Sequence, residues 1–250
     1  MTSVAAADHA YTILVPPHWM FPILWTAWGW PYLVFAFLLG SIPFGIFVGR
    51  VFFRSDIRAA GSGNIGAANA LRTYGRKAGL AVLALDALKG ALAIATAWNL
   101  WLHVPLWIDV NGVRIDASAT DGPIWALVPL AGFAAVLGHC YSPWLRFRGG
   151  KGVATYLGAL LALSPTAALA FAIVWLAIVL RTGFASLGSM LGAVAAGALL
   201  VAAGPRFGVR FGDSAFVFAF GSLLVIVWKH RENLGRLRAG TENRLSLLKR

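Results

Sequence analysis

Residues 149–152 read Gly-Gly-Lys-Gly, with Arg146 and Arg148 just before them and an apolar run from Val153 after. Glycine backbone lets N–H groups converge on an anion, and a lysine adds a point positive charge; this is how proteins hold phosphate. Gly149, Gly150 and Gly152 also stand before an apolar helix, where an anion can meet a helix N-terminus. A second segment, Gly61-Ser62-Gly63-Asn64, is followed by Asn69 and Arg72. It offers a backbone nest, hydroxyl and amide donors and an arginine clamp. A third segment carries His230 and Asn233, three apart and therefore on one face of a helix, with Glu242 beyond them. Each segment also has a plainer reading: a turn, a cationic loop, a solvated charged tail. The Gly-rich run is not a P-loop, because Val153 stands where a Ser or Thr is required.

The chemistry that is missing narrows the reading. No Cys/His cluster has metal-ligand spacing, and no Gly-x-Ser-x-Gly elbow occurs. No His is followed by an Asp five residues later. No metal and no cofactor are expected. A site rich in anion-binding groups and poor in nucleophiles suits a substrate that is already activated by phosphate, where positioning and charge stabilisation suffice.

The elements that must position these residues are membrane helices. The 250-residue chain is 59% hydrophobic and only 12% charged, against roughly 25% for a soluble domain. Eleven Trp and 28 Gly suit interfacial anchoring and helix contacts in a bilayer. A single cysteine, Cys140, excludes an intrachain disulfide. Residues 1–20 do not read as a signal peptide.

Apolar stretches run at roughly 28–49, 78–101, 123–140, 152–164, 166–180, 184–203 and 214–229. The fourth and fifth are short and flank Ser164-Pro165, so they read either as two short helices or as one kinked span. Charge decides. With the N-terminus outside and seven spans, segments 50–77, 141–151, 181–183 and 229–250 lie inside. They hold 6, 3, 1 and 7 Lys or Arg, 17 in all, while outside segments hold 3 and Lys89 lies within a span. One fewer span puts the basic tail outside and nearly evens the split, so the positive-inside rule selects seven. The expected fold is an all-α integral membrane protein of seven transmembrane helices, N-terminus outside and C-terminus cytoplasmic. All three polar segments then meet on one side. The net charge of +12 is a topological signal, not a nucleic-acid footprint. The loop 102–122, with Asn111-Gly112 and Asp121-Gly122, has room for a short hairpin.

Asp86 and Lys89 lie inside the second span at i, i+3, where buried charges are expected to pair. They read as a structural ion pair, or as part of the site. His139, which ends the third span, reads as a structural hydrogen-bonder, or as part of the site.

The ordered motifs resemble the bacterial acyl-phosphate:glycerol-3-phosphate acyltransferase (PlsY) family. Residues 40–50 look like its opening, Gly61 through Arg72 like its first loop motif, and Asp86-Ala-Leu-Lys89-Gly90 like its second span. Gly138-His139 and Phe147 through Thr155 look like its Gly-rich motif, and His230 through Leu237 with Gly240-Thr-Glu242 like its third. The resemblance covers 28–245; residues 1–27 are an extension without a counterpart, and 246–250 a basic cytoplasmic tail.

The resemblance implies a seven-helix, multi-pass enzyme of the bacterial inner membrane, with its active site on the cytoplasmic face. Such an enzyme moves a fatty acyl group from acyl phosphate to the sn-1 hydroxyl of glycerol 3-phosphate, giving lysophosphatidic acid and phosphate, the first step of phospholipid synthesis. The family's functional positions carry over as Ser62, Arg72, Lys151, Ser189, His230 and Asn233, with Ser186 close to Ser189. Partners are then the two small substrates and the lipid bilayer, with no nucleic acid, and the chain acts as a monomer. Acyl phosphate is a mixed anhydride with a good leaving group, so no acyl-enzyme is required. His230 serves either as base or as phosphate ligand, and the substrate phosphate is a rival base. Two other classes stay open on the residues alone: a transporter of a phosphorylated metabolite, and a non-catalytic membrane scaffold. Paired polar groups at mid-membrane would favour the transporter.

Overall fold

A computed structural model describes residues 29–103, 107–110, 113–116, 123–203 and 212–245. Helix α1 (Gly29–Ser41) and helix α2 (Phe44–Phe53) make one apolar stretch broken at Ile42-Pro43, where proline supplies no N–H. A 3₁₀ turn at Ile57–Ala59 and helix α3 (Ala67–Tyr74) form the first polar loop. Helix α4 (Arg76–His103) is 28 residues long, about 42 Å at 1.5 Å per residue.

Strands β1 (Trp107–Val110) and β2 (Val113–Asp116) pair antiparallel, with Val110 opposite Val113. A hairpin does occupy the 102–122 loop; its turn signal Asn111-Gly112, like Asp121-Gly122, lies outside the described residues.

Helix α5 (Pro123–Cys140) leads through a 3₁₀ turn at Pro143–Leu145 to helix α6 (Val153–Leu163). Helix α6 is only 11 residues long, about 16 Å, and cannot cross some 30 Å of hydrocarbon by itself. It ends at Ser164, whose hydroxyl accepts from the Ala167 N–H and caps helix α7 (Pro165–Thr182), with Pro165 in the first turn. The fourth and fifth apolar stretches are thus two helices. Helix α8 (Ala185–Ala203) follows. The last apolar stretch is helix α9 (Gly212–Phe216), a π-helical turn at Val217–Gly221 and helix α10 (Ser222–Lys229). Helix α11 (Arg231–Arg238) bends away from it by 55°.

Helices fall on all seven apolar stretches. Among the described residues, four are long and apolar enough to cross a membrane, and five if the bent last pair counts as one. Their outward faces carry large apolar side chains such as Phe35, Leu80, Leu88, Leu169, Ile173 and Leu180. Water would penalise so continuous an apolar exterior, whereas lipid does not.

Close backbone contact sets the geometry of the site. A Cβ at Gly90 of α4 would strike the Thr155 carbonyl, and one at Gly158 of α6 would strike the Ala87 carbonyl. This reciprocal small-residue contact presses the first turns of α6 onto the Asp86–Lys89 stretch of α4. Beneath it lies an aromatic core, with the Tyr156 ring 6.2 Å from Phe171 and 5.2 Å from Phe218.

Candidate active site

The first loop is folded around one buried amide. Asn69 Nδ2 faces the carbonyls of Ile57 (3.1 Å), Ala60 (3.0 Å) and Asn64 (2.9 Å), and its Oδ1 accepts from the Ser62 N–H at 2.8 Å. Gly61 and Gly63 take left-handed backbone that closes the turn. Asn69, expected to bind phosphate, lines the cavity described below, while its amide hydrogens face the loop's own carbonyls. Asn64 closes an Asx turn onto the Gly66 N–H at 3.0 Å. Ser62, Asn64 and Arg72 then line a cavity of about 410 Å³.

The Gly-rich segment differs from its expected role in a specific way. The Gly149 N–H donates to the Cys140 carbonyl (3.2 Å) and the Gly150 N–H to that of His139 (3.0 Å). Neither glycine lines the cavity, and neither amide is left for an anion. Their small size is what is needed: a Cβ on Gly150 would strike the His139 ring. Arg146 and Phe147 are held in left-handed backbone just upstream, which marks a strained loop. Lys151 and Gly152 do line the cavity, at the N-terminus of α6.

Lys151 is the start of a chain of hydrogen bonds. Its Nζ donates to Asn233 Oδ1. Asn233 Nδ2 donates to Glu242 Oε1 at 2.6 Å, Ser186 Oγ donates to the same oxygen at 2.9 Å, and Arg236 Nε donates to Glu242 Oε2 at 2.8 Å. Burial pushes the Lys151 ammonium down to about 8, and nearby Arg236 and Arg72 push the same way against the pull of Glu242. Burial works against the Glu242 carboxylate, but the Asn233, Ser186 and Arg236 donors together hold it below its usual value. A short strap holds Glu242 in place: the Leu245 N–H donates to the Gly183 carbonyl at 2.7 Å.

His230 is buried at the bend between α10 and α11 and lines the cavity. Its Nδ1 lies 2.8 Å from the Ile226 carbonyl. A carbonyl only accepts, so Nδ1 carries the hydrogen and Nε2 offers a lone pair. Burial, then Lys151, lowers its pKa to about 4, so the ring is neutral at pH 7. A neutral ring in this tautomer accepts from a hydroxyl more readily than it donates to phosphate.

Ser189 lines the cavity while its hydroxyl donates to the Ala185 carbonyl at 2.7 Å; Ser186 is the serine joined to the polar chain. Asp86 and Lys89 form a buried ion pair at 2.8 Å, and Lys89 also donates to the Ile42 carbonyl at the α1–α2 break. Lys89 does not line the cavity, but Asp86 and His139 do. Arg236, within the third motif but not among the candidate site residues, joins the site: it lies three residues from Asn233 and so on the same helical face. Much of the remaining wall is apolar, including Leu83, Leu157, Phe171, Trp175 and Leu176.

A cavity lined both by cationic and amide groups and by aliphatic and aromatic side chains defines a class, a helical integral membrane protein that handles a phosphorylated amphiphile. The comparisons with known proteins narrow it. The family described as "Glycerol-3-phosphate acyltransferase" matches residues 30–240. The chain is 44% identical over 216 residues to a glycerol-3-phosphate acyltransferase of Rhizobium meliloti (strain 1021), covering 85% of this chain and 90% of the relative. It is 44% identical over 215 residues to glycerol-3-phosphate acyltransferase 3 of Dehalococcoides mccartyi (strain ATCC BAA-2266 / KCTC 15142 / 195), covering 86% and 94%. Among solved structures it is similar to PlsY (YgiH), an integral membrane glycerol 3-phosphate acyltransferase. The glycerol 3-phosphate form matches with TM-score 0.71 and 35% identity, covering 88% of this chain and 96% of that one. The lysophosphatidic acid form matches with TM-score 0.69 and 34% identity. The protein belongs to the glycerol-3-phosphate acyltransferase family.

Proposed function

We infer that this protein transfers a fatty acyl group from acyl phosphate to the sn-1 hydroxyl of glycerol 3-phosphate. Lysophosphatidic acid and inorganic phosphate are the products. The observation that carries the reading is the joining of Lys151, Asn233, Glu242 and Arg236 on the wall of a cavity that is also lined by aliphatic and aromatic side chains. Both substrates bear phosphate and one bears a fatty chain, so a cavity lined by both kinds of group suits the pair. The solved PlsY structures with glycerol 3-phosphate and lysophosphatidic acid support the same reading.

Each group has a role in that reaction. Lys151 and Arg72 neutralise phosphate, and the N-terminus of α6 adds its dipole. Asn233 fixes the Lys151 ammonium, and Glu242 fixes Asn233. The sn-1 oxygen attacks the acyl carbon, a C–O bond forms, and the bond from that carbon to the phosphate oxygen breaks. The hydroxyl proton leaves to His230 Nε2 or to the phosphate of glycerol 3-phosphate itself, and a positioned base is worth roughly 10²–10⁴-fold. No acyl-enzyme is needed. The fatty chain lies along Leu157, Phe171, Trp175 and Leu176.

In this reading the chain is monomeric and crosses the bacterial inner membrane seven times, N-terminus outside, with the site on the cytoplasmic face. The 17-to-3 division of basic residues supports that orientation. Apart from the Asp86–Lys89 pair inside the second span, the charged residues of the site lie in the loops and at the helix ends, not in the matching mid-membrane pairs that transport would use. The test is phosphate release by the purified protein in detergent. Release is expected only when acyl phosphate and glycerol 3-phosphate are both present, and release without the acceptor would sink the reading.

A further inference from the structure

Cys140 ends α5, and its carbonyl is one of the last four, which no N–H of a continuing helix satisfies. Two groups meet it instead. The Gly149 N–H donates to it at 3.2 Å, and the Lys229 ammonium donates to it at 2.9 Å. The negative end of the α5 dipole favours a cation there. The same ammonium stands 4.9 Å from the centre of the Tyr141 ring, within cation–π range. Lys229 is the last residue of α10 and adjoins His230, while Gly149 is two residues before Lys151. One carbonyl thus joins the segment that carries His230 to the segment that carries Lys151.

Helix α10 needs such a tie. It is eight residues long and lies between the π-helical turn at Val217–Gly221 and the 55° bend to α11. Neither junction continues a regular α-helical ladder, so tertiary contacts set where its C-terminal end lies. Two polar side chains at the bend bond only locally: His230 Nδ1 faces the Ile226 carbonyl, and Arg231 Nη1 donates to that of Trp228. Lys229 reaches α5, 89 residues away in sequence. On the far side of the bend Asn233 accepts from Lys151. His230 therefore sits between two ties to the same segment, one to the Lys151 side chain and one to the backbone anchor that precedes it.

We propose that Lys229 is a positioning residue: on the carbonyl that also anchors the Gly-rich segment, it holds His230 at a fixed place relative to Lys151. The proposal rests on the acyl-transfer reading, which wild-type turnover of acyl phosphate and glycerol 3-phosphate checks by itself. Lys229→Met keeps the reach of the side chain and removes its charge. In steady state it should lower kcat at least about tenfold, since a misplacement of about 1 Å can cost about 100-fold. KM for glycerol 3-phosphate should stay within about threefold of wild type, because the bonds among Lys151, Asn233 and Glu242 remain. Lys229→Arg keeps a cation for the carbonyl and the ring, and should restore kcat to within about threefold of wild type. If Lys229→Met does not fold, Tyr141→Leu takes its place: it removes the ring, leaves an apolar side chain, and should lower kcat with KM unchanged. A wild-type kcat in the variant tested overturns the proposal, and is what a lysine that only marks the end of a span would give. So does a loss that Lys229→Arg leaves unrestored, or a loss of kcat matched by an equal rise in KM, the signature of a side chain that only supports the fold.

Discussion

Asn233 holds Lys151 with one end of its side-chain amide and Glu242 with the other. Nδ2 donates to Glu242 Oε1 at 2.6 Å, and this fixes Oδ1 toward the Lys151 ammonium. The amide cannot be flipped without setting two donors against each other and two acceptors against each other. One residue of α11 thereby joins the loop before α6 to the strap after α11, and the proposed phosphate site requires all three to meet.

Asn233→Ala should therefore cost more than one contact. It strips Lys151 of its acceptor and Glu242 of a donor, both in a buried setting, at about 1–3 kcal/mol for each orphaned group. We expect kcat/KM for glycerol 3-phosphate to fall at least tenfold, measured in steady state. Glu242→Gln should be strongly non-additive with it, with a coupling of about 0.5–3 kcal/mol. Strict additivity in the double-mutant cycle would show that the two side chains act separately.

Phosphate binding should weaken as pH rises through about 8, where Lys151 loses its proton. The substrate phosphate is already dianionic above about pH 7, since its second pKa is about 6, so that limb belongs to the protein. The sign for stability is the opposite. The folded value lies below the unfolded value of about 10.4, so the unfolded chain holds more protons between the two. The unliganded protein gains stability over that window while losing affinity. Lys151→Arg should remove the alkaline limb and still bind poorly, because a planar fork replaces a point charge fixed on Asn233. A KM for glycerol 3-phosphate that stays flat from pH 7 to 9.5 in the wild-type protein would contradict this.

His230→Ala should lower kcat more than it changes the affinity for glycerol 3-phosphate, because Nε2 is an acceptor in the neutral tautomer. With its pKa held near 4, the wild-type acid limb should lie well below the ordinary histidine value of about 6.5. A binding titration decides. Lost affinity with preserved turnover at saturation would assign His230 to phosphate instead.

Gly150→Ala tests the Gly-rich segment. The added methyl would meet the His139 ring, so thermal stability should fall by about 1–3 kcal/mol as neighbouring groups shift. Lys151 is the next residue, so KM for glycerol 3-phosphate should rise together with the loss of stability. A raised KM with unchanged stability would restore the direct anion-binding role for the Gly150 amide.

The helices were legible in the sequence because lipid imposes one rule on every stretch, and hydrophobic length follows from it. The site was legible in outline. Lys151, His230, Asn233, Ser62 and Arg72 do line one cavity. What sequence could not supply was which polar group spends its hydrogen bonds on the protein. Asn69 looks like a ligand beside Gly61 and Ser62, yet three carbonyls surround its Nδ2. Gly149 and Gly150 look like a nest, yet both amides turn back to α5. Arg236 shares a face with Asn233, but its pairing with Glu242 depends on a chain reversal at Gly240 (φ 69°) that spacing does not reveal.

Topology has its own check. Reporter fusions after residues 60, 150 and 245 should report the cytoplasm, and those after 112 and 207 the outside. A tail at 245 found outside would separate Glu242 and Asn233 from Lys151 and contradict both the orientation and the site.

The most direct test of the central claim is the product itself. Purified protein is given glycerol 3-phosphate with either acyl phosphate or acyl-CoA as the single donor, and lysophosphatidic acid is followed by mass spectrometry. The account predicts 1-acyl lysophosphatidic acid from acyl phosphate, equimolar with released phosphate, with full activity in chelator and no product from acyl-CoA. Robust product from acyl-CoA with no acyl phosphate present, or no acylated product from acyl phosphate, would contradict it.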